Sequence, residues 1–236
     1  MRGASSRRRR LGTLFVGAGV LLAAYALVTF LWQDPVTGGF GRWQQHALAA
    51  SLDESFRDYR KAEERPLARA REAARSDDRA ARRRDLARAA RLLEARLEPG
   101  RPLGRIVIPK IGVDAVFVEG TRWWPDLAKG PGHYEQTSLP GEGKTTAIAG
   151  HRTTFGAPFR NIDRLEPGDR IVVELPYGTF RFSVFAHEVV RADDWSIVRQ
   201  RGFDTLVLSA CHPLHSASHR WVVFARLAGV DLAATA

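Results

Sequence analysis

Residues 206–227 read LVLSACHPLHSASHRWVVFARL and hold the only cysteine of the chain, Cys211, between two apolar runs. Leu206, Val207 and Leu208 before it, and Trp221, Val222, Val223 and Phe224 after Arg220, are aliphatic, β-branched or aromatic, as in strands with a buried face. The polar loop between them makes the two runs a strand pair. A thiol then closes one strand and a guanidinium opens the next, so the cation faces the sulfur across the mouth of a sheet. A thiolate nucleophile needs such a neighbour.

Working outward, the whole chain bounds the possibilities. Its 236 residues suffice for one full domain with additional elements. A single cysteine excludes an intrachain disulfide and leaves a buried small residue, an intermolecular link or a reactive thiol. Its place beside His212 and Pro213, outside any aliphatic run, favours the reactive thiol. The net charge of +10 is unevenly spread, because the arginines at 2 and 7–10 supply half of it. Residues 100–236 carry 16 basic against 14 acidic side chains. That distribution argues for a membrane-facing arm and against a nucleic-acid groove.

The arginine block at 1–10 precedes an uncharged run at 11–32, which is long enough to cross the hydrocarbon core. It reads as a single spanning helix with its basic end in the cytoplasm and Trp32 at the far interface, which puts the remainder outside the cell membrane. Ala24 and Ala26 lie inside the apolar run and not after it, which disfavours a cleaved signal peptide. Asp34-Pro35 and Gly38-Gly39 are expected to break the helix as it leaves the membrane. Residues 33–100 then form an extracellular helical spacer, rich in Ala, Arg, Glu and Leu, with apolar spacings at Leu48, Leu52, Phe56 and Tyr59 and again at Leu86, Ala90, Leu93 and Leu97. Pro66 divides it into two helical segments, either an extended spacer of roughly 80 Å or a hairpin.

Pro99-Gly100 ends the spacer, and a β-rich domain is expected over 101–229, followed by a tail at 230–236. Strands are expected at 105–109, 111–119, 145–149, 169–175 and 179–191, with Gly130-Pro131-Gly132 as a loop, before the pair around Cys211. About eight short strands between Gly/Pro turns make this mainly β, a closed antiparallel-rich barrel. His151 is the favoured partner for the thiol: it ends the apolar run Thr-Ala-Ile-Ala-Gly-His, where the glycine allows close backbone approach and the ring projects from the sheet. Cys211, His212, His215 and His219 also read as a zinc set. Adjacent ligands on a loop stiffened by Pro213, at a spacing unlike familiar zinc patterns, disfavour that reading.

The strand pair resembles the active site of the sortases, in which a cysteine closes one strand and an arginine opens the next. The usual Thr-Leu-x-Thr before the cysteine is here Val207, Leu208, Ser209, Ala210, so both threonines are absent. The runs GPGHYEQTSLPGEG and AGHRTTFGAPFRNIDRLEPGD, and His212-Pro213 after the cysteine, are similar to class E sortases of actinobacteria. The resemblance covers residues 102–228 and implies a sortase-like eight-stranded β-barrel. It implies a membrane-anchored cysteine transpeptidase with Cys211, His151 and Arg220 as catalytic residues and Tyr134 lining the sorting-signal groove. The implied partners are surface proteins with a C-terminal Leu-Ala/Pro-x-Thr-Gly-like signal, and an amine of a peptidoglycan precursor or a pilin. No cofactor or metal is required. A secreted cysteine hydrolase using the same residues, and a membrane-tethered metal- or wall-binding module, are the alternatives.

Overall fold

The computed structural model describes residues 3–31, 34–75 and 78–233. Helix α1 (Gly3–Leu31) contains the apolar stretch Leu11–Thr29, the one described helix long and apolar enough to span a membrane. Trp32, expected at the far interface, lies outside the described residues.

Helix α2 (Pro35–Ala62) begins at once, so Asp34-Pro35 starts a helix and Gly38-Gly39 does not break one. Asp34 caps it by accepting the Val36 amide at 3.0 Å, and Pro35 in the first turn forgoes only an amide that has no helical partner. Gly41, further along the same helix, serves close packing, since a Cβ there would stand 2.7 Å from the Phe155 carbonyl carbon, whereas one at Gly38 or Gly39 would meet open space. The next break falls at Glu63, and Pro66 sits inside the first turn of α3 (Glu64–Arg75), where its missing amide costs little. Helix α4 (Arg79–Glu94) packs back on α3. The expected spacer is thus three helices, and it is folded against the barrel. Tyr59, Leu67, Leu86, Ala89 and Ala90 belong to the same buried cluster as the barrel's Phe117, Phe180 and Phe182. Tyr59 donates to the Ala89 carbonyl at 2.7 Å, and Gln45 bridges α2 to the Val116 backbone.

Eight strands follow: β1 (Pro102–Ile108), β2 (Val113–Glu119), β3 (Gly132–His133), β4 (Thr145–Ala149), β5 (Arg170–Leu175), β6 (Gly178–Arg191), β7 (Thr205–His212) and β8 (His219–Leu232). They close a barrel in the order β1-β2-β3-β4-β7-β8-β6-β5. The pairings β2–β3 and β4–β7 are parallel and the others antiparallel. Several boundaries differ from expectation: β1 starts at Pro102, and a 3-10 turn over Pro109–Ile111 delays the start of β2 to Val113. The Gly-Pro-Gly loop contributes strand β3, and β8 runs on to Leu232, opposite Gly178, where a tail was expected from 230.

Alternation along β7 and β8 divides the side chains cleanly. Leu206, Leu208 and Ala210, with Val223 and Ala225 across the ladder, fill the barrel. Val207, with Val222 and Phe224, joins a separate cluster on the outer face with Ala147 of β4 and Ile197. Cys211 shares the outer face with Val207 and Ser209 by the same period of two.

Candidate active site

In the β7–β8 register Cys211 is directly opposite Arg220. Directly opposed antiparallel residues share a face, with Cβ atoms about 4.5–5.5 Å apart. The parallel neighbour β4 ends two residues short of that rung, with Ala149 beside Ser209, and the Gly150 amide donates to the Ser209 carbonyl at 3.0 Å. His151 follows immediately. Gly150 is required here, since a Cβ would lie 2.5 Å from the ring of Phe159.

Cys211, His151, Arg220 and Tyr134 all line one cavity of about 360 Å³, together with Trp123, Trp195 and Ser209. The structure therefore brings all four residues singled out in the sequence to one place. Tyr134 Oη is 2.8 Å from Ser209 Oγ, and its ring meets Trp195 edge-on at 6.2 Å. The His151 ring lies 5.3 Å from that of Phe155, tilted by 37°, and its Nε2 is buried without a protein hydrogen-bond partner among the described residues. Burial pushes the His151 pKa down to about 4, so the imidazole is neutral at pH 7. Arg220 Nη1 donates to the carbonyls of Ala217 and His219 at 2.9 and 3.0 Å, which fixes the guanidinium to the β7–β8 loop.

Arg152 is a residue that the sequence reading passed over. Its buried side chain donates to Asp163 at 2.6 Å and to the Arg160 carbonyl at 3.1 Å, and it reaches the Cys211 carbonyl at 3.5 Å. It ties the loop that carries His151 to the end of β7. Its adjacency to His151 was the only signal in the sequence, and a charged residue there reads as surface until its partners are seen.

The zinc reading loses its geometry. Successive strand residues point to opposite faces, so Cys211 and His212 cannot converge on one ion. The His212 ring instead lies 5.4 Å from that of Trp221, while His219 Nδ1 is 2.9 Å from Ser218 Oγ. Among the described residues no group of three or more His, Cys, Asp or Glu could hold a metal ion.

Barrel, outward-facing thiol and opposed guanidinium define a β-barrel protein with a groove suited to acyl chemistry at sulfur. Residues 106–228 match the sortase domain model. The chain is 35% identical over 133 residues to Sortase D of Bacillus subtilis and 32% identical over 145 residues to Sortase SrtE1 of Streptomyces coelicolor. Each match spans 55% of this chain, and they cover 65% and 41% of those proteins. The crystal structure of the Streptomyces coelicolor Sortase E1 with a tripeptide in the active site superposes with a TM-score of 0.54 at 28% identity, over 58% of this chain and 93% of that one. The chain belongs to the sortase family.

Proposed function

We propose that this chain is a membrane-anchored cysteine transpeptidase that cleaves a C-terminal Leu-Ala/Pro-x-Thr-Gly-like sorting signal between Thr and Gly. The observation that carries the reading is the opposition of Cys211 and Arg220 on the wall of a cavity that also takes His151. Neutral His151 accepts the thiol proton as Cys211 Sγ attacks the Thr carbonyl carbon, and Arg220 donates to the developing oxyanion. Collapse breaks the C–N bond. His151 passes the same proton to the departing glycine amine, leaving a thioester on Cys211. An incoming amine then attacks the thioester, loses its proton to His151, and releases the thiol with a new amide bond. Tyr134, held by Ser209, lines the path of the signal peptide. The amine belongs to a peptidoglycan precursor or a pilin.

A sortase D and a sortase E lie at similar identity to the chain, which supports membership of the family and favours neither class. A hydrolase would use the same residues. The distinguishing test is product analysis with a sorting-signal peptide: an added amine nucleophile should divert product from free acid to amide, and acid alone at saturating amine would make the chain a hydrolase.

The anchor is α1, with the arginines at 7–10 on the cytoplasmic side and the barrel outside. The apolar, uncharged Leu11–Thr29 stretch supports this. Protease added to wall-stripped cells should digest the barrel; complete protection would reverse the orientation.

A further inference from the structure

Three tryptophans stand exposed on one side of the molecule: Trp43 at 63%, Trp123 at 65% and Trp124 at 56%. They belong to one aromatic cluster. Phe40 lies 5.9 Å from Trp43 and 5.9 Å from Trp124, while Phe155 lies 6.0 Å from Trp123 and 6.2 Å from Phe40. Val36, one turn before Phe40, is exposed beside them in sequence. Water-facing clusters of large aromatics are uncommon on a soluble domain, where such a patch marks a partner surface.

The position of the cluster says what that partner is. Only residues 32 and 33 separate the end of α1 from the Asp34 cap of α2, and Tyr25 of α1 donates to Asp34 at 2.8 Å. The Asp34 amide donates to the Thr153 carbonyl at 3.3 Å, and the Phe155 amide donates to Thr37 Oγ1 at 3.1 Å. The foot of the apolar helix is therefore pinned to the loop that holds Phe155, and the aromatic cluster surrounds that junction. Tryptophan rings, apolar in body with one N–H donor, favour the headgroup level of a bilayer.

We propose that Trp43, Trp123 and Trp124 form an interfacial belt that seats the barrel directly on the outer bilayer surface. Trp123 also lines the cavity and the Phe155 ring packs against that of His151, so this seating sets the cavity mouth at the level where polypeptides leave the membrane. The barrel is then held at the lipid and does not ride above it on a spacer. The inference rests on α1 being the membrane anchor, and the experiment separates the two.

The full chain carrying Trp32→Phe is reconstituted into vesicles of phosphatidylcholine with a minor fraction of phosphatidylglycerol, with and without bromine on the acyl chains near the headgroup. Flotation reports anchoring and tryptophan emission reports contact. The expected result is co-flotation with a marked loss of emission in brominated vesicles, and disappearance of that loss when Trp43, Trp123 and Trp124 are also replaced by Phe. Phenylalanine keeps ring packing on Phe40 and Phe155, and near-ultraviolet circular dichroism of Trp195 and Trp221 checks the fold. Co-flotation without quenching would overturn the belt and leave the anchor standing. Equal quenching in both proteins would place Trp195 or Trp221 at the lipid and overturn it equally. Absence of quenching with cross-linked dimers dependent on the three tryptophans would assign the patch to a second copy of the chain. Failure to float would remove the anchor, and the belt with it.

Discussion

Cys211 and Arg220 occupy the same rung of the β7–β8 ladder, and the loop that joins them is held by Arg220 itself through the carbonyls of Ala217 and His219. The guanidinium is thereby fixed before any substrate arrives, as electrostatic stabilisation of an oxyanion requires. Lysine keeps the charge and loses the planar fork. Arg220→Lys should therefore lower transpeptidation roughly a hundred- to thousandfold, the about 2.7–4 kcal/mol lost with one oxyanion donor. Alkylation of Cys211 by a small reagent should continue at a comparable rate, since it follows thiolate fraction and access. Wild-type turnover in the lysine variant would take Arg220 out of the catalytic set, and loss of alkylation would recast it as acting on the thiol.

His151 should titrate near 4 in a histidine NMR experiment, well below its ordinary 6.5. The sign follows from burial. With the folded pKa depressed, the unfolded chain binds more protons between about pH 6.5 and about 4, so stability conferred by neutral His151 is present above that window and is lost on acidification through it. His151→Gln should flatten this part of the stability profile. A midpoint near 6.5 would contradict the buried environment.

His187 supplies the control histidine. It is exposed on β6 and stacks on Trp221 at 5.2 Å, away from the residues that line the cavity. His187→Ala should keep most peptide turnover while His151→Ala abolishes it. Equal loss in the two variants would count against His151 as the proton carrier.

Much of this site could be read from the sequence because its signals are local. The lone thiol, the apolar runs on either side and the Gly-His at the end of an apolar strand each carry their meaning within ten residues. The strand alternation that puts Cys211 and Arg220 on one face follows from the same stretch. What stayed hidden is non-local. Leu48, Leu52, Phe56 and Tyr59 announce an apolar stripe, but nothing in a stripe says that β1 and β2 cover it. Strand β3 consists of Gly132 and His133, two residues that pair only because neighbours on both sides present free backbone. Arg152 reads as solvated until Asp163 is brought to it by the fold.

The docking of the helices carries its own test. Leu86 of α4 is buried and packs over Gly141, where a Cβ would stand 2.7 Å from Leu86 Cγ. Leu86→Ala in the full chain should destabilise the barrel by about 2–5 kcal/mol, the usual range for truncating a buried leucine, measured by denaturant unfolding followed through barrel tryptophans. An unchanged midpoint would mean that α4 does not share the barrel's cooperative unit.

The proposed reaction requires Cys211 to become the acyl carrier. Intact-mass spectrometry of the full chain, quenched in acid after mixing with a sorting-signal peptide and no added amine, measures this directly. A single adduct is expected, equal to the peptide's N-terminal fragment through Thr, less one water, located on Cys211 and discharged by hydroxylamine. Cys211→Ala should show neither adduct nor turnover. Peptide cleavage by the alanine variant, or wild-type turnover with the adduct on another residue, would contradict it.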